Sequence, residues 1–210
     1  MIVDSYKVEI DHKYKFIAKI PEQLFGFTVE IRKKAIDTLQ LSRGSAVLDV
    51  GCGTGASFPY LEAVIGESGT IVGVEPSKHM IKKARERVMH VGWKNITLNA
   101  GTIEEFEDTE KYDGALLFAM QDVFNSQQGL QKIHALLKDG ARIVCVGPKL
   151  QEKGIQRLFN PGLNLLFKRM AISQNNKDKP WRLVAEQFTT ETIIEEKYGL
   201  IFIYTGRKIQ

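Results

Sequence analysis

Val47-Leu48-Asp49-Val50-Gly51-Cys52-Gly53-Thr54-Gly55 is the stretch that decides the fold of this 210-residue chain. A short apolar run reaches an acid and then three glycines spaced two apart, and helical spacing follows over Phe58–Ile65. Such a strand, turn and helix form a ligand-binding strand end, because glycine permits close approach of a ligand and backbone angles open to few other residues. We therefore expect Gly51, Gly53 and Gly55 to line a ligand site.

The rest of the chain alternates short β-rich runs with helical patterns, which is typical of βαβ units and a mostly parallel sheet. The runs predicted as parallel strands are Ala46–Val50, Thr70–Glu75, Ile96–Ala100, Asp113–Phe118 and Arg142–Val146. The predicted crossover helices are Phe58–Ile65, Ser77–Val91 and Ser126–Leu137. Helix N-caps are expected at Ser77 and Ser126, and helix stops at Gly66, Gly92 and Gly140.

The C-terminal end of the chain predicts a hairpin. Thr192–Glu196 and Leu200–Thr205 flank the turn pair Tyr198-Gly199. An antiparallel pair at the edge of a parallel sheet is a common arrangement. The predicted fold class is therefore α/β, with a Rossmann-like, mostly parallel seven-stranded sheet, helices on both faces and an antiparallel C-terminal hairpin.

Composition narrows the classes of protein. The chain is 43% hydrophobic and its formal net charge is +4. Neither Met1–Ile10 nor any later segment has the long uncharged apolar run of a signal peptide or membrane helix, so a cytoplasmic protein is expected. Cys52 and Cys145 lie in strand-like apolar surroundings, which indicates buried thiols and no metal site.

A second acid strengthens the interpretation of the glycine turn. Glu75 closes the next predicted strand about 20 residues beyond the turn, where a ribose-binding carboxylate belongs. The two hydroxyls of a nucleoside need a bidentate acceptor at that place. The sequence therefore favours a nucleoside-containing ligand.

These residues resemble the class I S-adenosylmethionine-dependent methyltransferases, whose first motif, an acid followed by Gly-x-Gly-x-Gly, is matched across Asp49–Gly55. The resemblance implies S-adenosylmethionine as cofactor, S-adenosylhomocysteine as product and in-line transfer of the methyl group. It also implies cofactor-binding roles for Asp49, Gly51, Cys52, Gly53 and Gly55.

Two later motifs continue the resemblance on the nucleoside side. Glu75, followed by Pro76, resembles the family's ribose-binding acid, and Met80 occupies a position that often packs on the adenine. After the third strand, family members usually place an Asp that binds the adenine amino group. This chain has Thr102 there, whose hydroxyl can still accept a hydrogen bond, and the backbone N–H of Ile103 remains available.

The fourth predicted strand leads to the acceptor side. Its sequence over residues 112–120 resembles the family's fourth-strand motif, which implies that Phe118 and Ala119 lie near the methionine end of the cofactor. An amine or hydroxyl acceptor needs a base, and Asp122 just beyond the strand is the candidate. The alternative for Asp122 is a helix cap or a solvated loop acid.

Other polar side chains receive weaker roles. Gln121 and Tyr14 are candidates to orient the acceptor. His134 is interpreted as a packed or surface histidine of a helix, because Ile133, Leu136 and Leu137 surround it in sequence.

A finer resemblance concerns the acceptor. Four short segments look similar to bacterial lipid-headgroup N-methyltransferases of the phosphatidylethanolamine and diacylglycerylhomoserine type: residues 55–60, 92–95, 179–182 and 204–207. The expected substrate is therefore a small molecule or a lipid headgroup. A nucleic-acid substrate is not expected, since the chain has no strongly basic appended domain and no Asn/Asp-Pro-Pro-aromatic signature after strand four.

Two other functions compete with methyl transfer. A nicotinamide-dependent oxidoreductase uses a similar turn, but its fingerprint is Gly-x-Gly-x-x-Gly, and here Ala56 stands at the last position. A cofactor-binding module without turnover is the second alternative, because fold and pocket do not by themselves establish catalysis.

One domain is expected over residues 1–210. It divides into an N-terminal helical cap (1–40, helical from Pro21), a cofactor-binding core (41–147), a substrate-side insertion (148–187) and the hairpin (188–210). Within the insertion, Gly154–Ile172 interleaves bulky apolar residues with Lys and Arg. We expect this segment to cover the acceptor pocket and to make peripheral contact with anionic membrane, the alternative being an ordinary surface helix.

Overall fold

A computed structural model describes residue 26 and residues 28–150, 158, 160–162 and 179–209. Its helices are α1 (Thr28–Thr38), α2 (Phe58–Ile65), α3 (Lys78–Val91), α4 (Gln121–Phe124), α5 (Gln127–Leu136) and α6 (Arg182–Gln187). Its strands are β1 (Ala46–Val50), β2 (Thr70–Val74), β3 (Ile96–Asn99), β4 (Tyr112–Phe118), β5 (Leu137–Pro148), β6 (Thr189–Glu196) and β7 (Ile201–Arg207).

The seven strands form one sheet in the order β3-β2-β1-β4-β5-β7-β6. The first five strands pair in parallel, whereas β7 runs antiparallel to both β5 and β6. The predicted fold class is confirmed. The order reverses direction between β1 and β4, and ligands of open α/β sheets bind at the carboxyl ends of the strands beside such a switch point.

The local signals in the sequence account for most element bounds. β1 and α2 have the predicted bounds, and the side chains of Ser77 and Ser126 cap α3 and α5 by accepting backbone N–H groups. Gly66 and Gly92 end α2 and α3 at positive φ, as predicted. A glycine in this position relieves the strain that a side chain would suffer at a helix end.

The prediction that Gly140 stops a helix is wrong. Helix α5 ends at Leu136 and the chain enters β5 at the next residue, so Gly140 lies within a strand. Its N–H donates to the carbonyl of Lys208 at 3.0 Å. The early start of β5 thus depends on pairing with a distant part of the chain. The spacing of nearby residues in the sequence does not reveal such pairing.

Two apolar layers cover the two faces of the sheet. Helices α1 to α3 pack on one face through residues such as Ile36, Phe58 and Ile81, and α5 and α6 cover the other. Val47 belongs to the first layer and Leu48 to the second, as the alternation of a strand requires. The side chain of Asp49 therefore points toward the α1 and α2 side.

Several predictions fall on residues outside the described ranges. They concern Tyr14, the cap before residue 26 and most of Gly154–Ile172. Among the described residues, no helix is long and apolar enough to cross a membrane.

Candidate active site

The glycine turn connects β1 to α2 at the carboxyl edge of the sheet. The N–H of Gly51 donates to the carbonyl of Val74 at 2.7 Å, which ties the turn to the end of β2. Gly53 has φ 57 and its N–H donates to Oε2 of Glu75 at 3.0 Å. The turn and the end of β2 are therefore one hydrogen-bonded unit.

The three glycines of the turn face different surroundings. A Cβ at Gly51 would collide with the side chain of Met120, and a Cβ at Gly55 would collide with the ring of Phe58. A Cβ at Gly53 would meet no atom of the described residues within 4 Å. Of the three, Gly53 borders open space, whereas the other two allow protein side chains to approach.

Glu75 lies directly after β2 and is 5% exposed. Its carboxylate accepts the N–H of Gly53 through Oε2 and the N–H of Ser77 through Oε1, at 3.0 and 2.8 Å. Burial raises the pKa of Glu75 to about 7, while the two backbone donors act in the opposite direction. The carboxylate is fixed in place beside the open side of the turn.

Asp49 is a second buried acid at the same edge, 1% exposed. Burial raises the pKa of Asp49 to about 7, with Arg32 and Ser57 lowering it and the charge of Glu75 raising it. Within the part of the chain that the structure describes, its Oδ2 has no hydrogen-bond partner. Leaving a buried carboxylate oxygen without a hydrogen bond costs free energy. A ligand that donates a hydrogen bond to Oδ2 would therefore be stabilised at this place.

Arg32 is a member of this cluster that sequence analysis missed. It extends from α1, where its Nη1 donates to Oγ of Ser57 at 2.6 Å and its guanidinium stacks 3.8 Å above the ring of Phe118. The sequence carried a signal, because Arg32 lies next to the apolar stripe of α1 formed by Ile31, Ala35 and Ile36. That position alone does not show whether the guanidinium is solvated or paired in the interior.

The end of β3 differs from the family pattern in a specific way. Thr102 is 6% exposed, and both its N–H and its hydroxyl donate to Oε2 of Glu105, at 3.4 and 3.3 Å. Ile103 is buried beside it. The carboxylate of Glu105, three residues further along the chain, thus lies within hydrogen-bond distance of Thr102.

The residues at the end of β4 are less buried than the acids at the ends of β1 and β2. Phe118 and Ala119 are half-buried, and Ala119 has φ 62, which is uncommon for a residue with a side chain. Its N–H donates to the carbonyl of Val146 in β5 at 2.7 Å, which holds the residue in that conformation. Met120 is the N-cap residue of α4, and Asp122 is half-buried in its first turn.

The predicted residues Cys52, Pro76 and Met80 also lie at this edge. The thiol of Cys52 belongs to the buried layer on the α1 to α3 side, and both cysteines are free and buried, as predicted. Pro76 is half-buried and Met80 is 7% exposed at the start of α3. His134 lies elsewhere, packed at 5.2 Å between ring centroids on Phe188 and lining a cleft of about 390 Å³ between α5 and α6.

The sheet order, the glycine turn after β1 and the buried acid after β2 are the features of the class I methyltransferase fold. Comparison with known families agrees. The chain belongs to the family described as "Methyltransferase domain", which matches residues 41–197.

The chain is similar to curated proteins named demethylmenaquinone methyltransferase. Demethylmenaquinone methyltransferase of Listeria welshimeri is 29% identical over 139 residues, which are 65% of this chain and 59% of the relative. The enzyme of that name from Shouchella clausii is 31% identical over 117 residues, 55% of this chain and 50% of the relative. The matches span less than two thirds of the length of these relatives.

Solved structures share the fold at low identity. A SAM-dependent methyltransferase from Aquifex aeolicus superposes with a TM-score of 0.64 at 18% identity, covering 98% of each chain. An N-methyltransferase from Bradyrhizobium japonicum gives 0.65 at 14% identity, covering 88% of this chain and 98% of the other. At such identities the likeness concerns the fold alone.

Proposed function

We propose that this protein transfers the methyl group of S-adenosylmethionine to a small molecule of the quinone type. The observation that carries the cofactor assignment is the open space over Gly53, bordered by the fixed carboxylate of Glu75. The acceptor class comes from the names of the curated relatives.

The residues fit the parts of the cofactor. Each oxygen of Glu75 accepts one backbone N–H, which leaves further lone pairs for the two ribose hydroxyls. The unpaired Oδ2 of Asp49 suits the ammonium of the methionine part, and the guanidinium of Arg32 suits its carboxylate. A buried anion and a cation facing the same strand end are complementary to an amino-acid zwitterion.

The adenine part has a second set of candidates. Pro76 and Met80 offer apolar surface at the start of α3, and the N–H of Ile103 offers a donor. The hydroxyl of Thr102 donates to Glu105, so its lone pairs remain to accept the adenine amino group. The N–H and the carbonyl of Cys52 are bonded to Val74 and Gly55, so Cys52 supports the shape of the turn.

The chemistry divides between cofactor and protein. When bound, S-adenosylmethionine supplies a methyl group that its sulfonium already activates. The protein must orient the acceptor and keep water away, and Phe118, Ala119 and Met120 form the wall available for this. An acceptor that exchanges a proton for a methyl group needs a base, and Asp122 is our candidate.

Acceptor identity is tested with methyl-labelled cofactor and three acceptor classes: demethylmenaquinone kept chemically reduced as its nucleophilic hydroquinone, phosphatidylethanolamine and a panel of small amines. We expect label in the quinone fraction. Label confined to the lipid or the amines would overturn the quinone proposal and keep the methyltransferase. Cofactor binding without labelled product from any acceptor class would identify a binding module.

The role of Asp122 is tested by Asp122→Asn. We expect turnover to fall by about 10²- to 10⁴-fold, the usual range for losing a general base, with cofactor affinity unchanged. Asp139→Asn is the matched control, because Asp139 is an exposed acid paired with Lys208 at 3.2 Å at the start of β5. Equal turnover in both variants would remove Asp122 from the mechanism.

A further inference from the structure

Glu104 joins the segment after β3, residues 100–107, to the N-terminus of α5. Its Oε1 accepts the hydroxyl of Ser126 at 2.6 Å, across 22 residues of sequence. Both residues are half-buried. The same hydroxyl oxygen accepts the N–H of Gly129 at 3.0 Å, so it caps α5 and holds Glu104 at once. A hydrogen bond to a carboxylate is stronger than one between neutral groups.

A glycine permits this close approach of the segment after β3 to α5. Gly129 is buried in the first turn of the helix. A Cβ there would lie 2.8 Å from Oε1 of Glu104 and 3.2 Å from Cγ2 of Ile103. A side chain at residue 129 would therefore push the segment after β3 away from the helix.

Ser126 is also bonded to the end of α4. Its N–H donates to the carbonyl of Val123 at 3.0 Å, and the N–H of Asn125 donates to the carbonyl of Asp122 at 3.2 Å. Helix α4 carries Asp122, our candidate base, in its first turn. Ser126 thus connects the carboxylate of Glu104 with the helix on the acceptor side.

We propose that Glu104 is a positioning residue that couples the adenine part of the cofactor to α4. The inference rests on the proposed function, in which Thr102 and Ile103 border the adenine. Glu104 follows them directly in the chain, so a ligand that fixes these residues also fixes the carboxylate that holds Ser126. Ordering one part of a hydrogen-bonded network lowers the conformational freedom that remains in the other part. Cofactor binding therefore orders α4 on the acceptor side.

A second contact between the same two elements provides a matched control. Glu107 lies on the same segment, and its carboxylate is 2.7 Å from Nζ of Lys132 on α5. The Glu107 side chain is 83% exposed, so water screens this ion pair and the pair fixes little. Glu107→Ala therefore matches Glu104→Ala in charge, segment and partner helix, and it should leave the coupling intact.

The test is hydrogen exchange of the full chain with and without S-adenosylhomocysteine, whose binding is measured first by calorimetry. In the unaltered chain we expect the ligand to slow exchange at residues 102–105 and also at residues 121–129. Glu104→Ala should reduce the slowing at residues 121–129 by roughly 2- to 30-fold, the range for mutations that change coupling between sites. The slowing at residues 51–55 should persist in that variant.

Two further variants separate the hydrogen bond from charge and from folding. Glu104→Gln should restore the slowing at residues 121–129, because the amide oxygen can still accept the hydroxyl of Ser126. Loss of stability alone would not depend on the ligand. If Glu104→Ala does not fold, Ser126→Gly removes the same hydrogen bond from the other partner, since glycine is tolerated at an N-cap.

Three exchange results would overturn the coupling and leave the proposed function intact. One is slowing at residues 121–129 that persists in Glu104→Ala, which indicates direct contact of the ligand with α4. The second is no slowing at residues 121–129 in the unaltered chain. The third is equal loss in Glu107→Ala, which assigns the effect to charge. Absence of S-adenosylhomocysteine binding in calorimetry would instead overturn the proposed function, and the coupling with it.

Discussion

The carboxyl ends of β1 and β2 differ from the ends of β4 and β5 in how firmly they are built. At the first pair, Glu75 is buried and holds the N–H groups of Gly53 and Ser77. At the second pair, Phe118 to Asp122 are half-buried, and Ala119 adopts an uncommon φ. The proposed cofactor side is thus held by hydrogen bonds to a buried carboxylate, whereas the proposed acceptor side is half-buried and is held by the backbone bond from Ala119 to Val146.

The largest effect is expected for a substitution at Gly53, which tests whether this glycine borders the cofactor. Gly53→Val should abolish measurable binding of S-adenosylmethionine, because the branched side chain enters the open space and disfavours φ 57. Circular dichroism should remain nearly unchanged, with a Tm only a few degrees lower. Calorimetry and thermal melting measure the two outcomes.

Gly55→Val is the matched control for the glycine turn. Its side chain would meet the ring of Phe58, so we expect a larger fall in Tm than for Gly53→Val. If Gly53→Val unfolded the protein at moderate temperature, the turn at Gly53 would be structural.

The second-largest effect is expected for Glu75, whose carboxylate is held by two backbone N–H groups. Glu75→Ala should weaken binding of S-adenosylhomocysteine by roughly 1.5–3 kcal/mol, about 10- to 100-fold, the scale for hydrogen bonds to a charged group. It should also lower the Tm, because it removes the acceptor of two N–H groups. Glu67→Ala, a change to an exposed acid, serves as control. Unchanged affinity of Glu75→Ala in calorimetry would reject the ribose assignment.

A smaller effect is expected at Arg32, which lies between the glycine turn after β1 and the end of β4. Arg32 touches Ser57 beside the turn and Phe118 at the end of β4. Arg32→Ala should weaken S-adenosylhomocysteine by about 1 kcal/mol, roughly fivefold, and leave 5′-methylthioadenosine unchanged, since that ligand lacks the amino-acid carboxylate. Arg32→Lys should recover part of the loss. An equal loss for both ligands would mean that Arg32 only supports the fold.

The smallest effect concerns the unliganded protein and pH. Asp49 and Glu75 have folded-state pKa values of about 7, above their ordinary values of 3.8 and 4.5. Between about pH 4 and pH 7 the folded state therefore binds more protons than the unfolded state, so the free energy of unfolding falls as pH rises. Asp49→Asn should flatten this slope in thermal melts, whereas Asp37→Asn, at an exposed position, should not. Equal slopes in all three proteins would contradict the burial of a titrating Asp49.

Sequence predicted the cofactor side of the fold well because its signals are local. The bounds of β1 and α2, the capping serines of α3 and α5 and the position of Glu75 all follow from residues near one another. The early start of β5 was missed because it rests on contacts with residue 208.

The candidate site was predictable only in part, because some of its contacts join residues that are distant in the sequence. Arg32 comes from a helix 17 residues before Asp49, and its contact with Phe118 appears only once the chain folds. The approach of Met120 to Gly51 likewise joins β1 to α4. The roles of the predicted cofactor-binding residues, Phe118 and Ala119 among them, and of Asp122 stay predictions, since they depend on a cofactor and an acceptor.

The most direct measurement of the central claim is a calorimetric titration of the unaltered chain with S-adenosylhomocysteine and, separately, with a nicotinamide dinucleotide. We expect binding of S-adenosylhomocysteine that Glu75→Ala weakens and Glu67→Ala does not, with little or no binding of the dinucleotide. Tighter binding of the dinucleotide would contradict it.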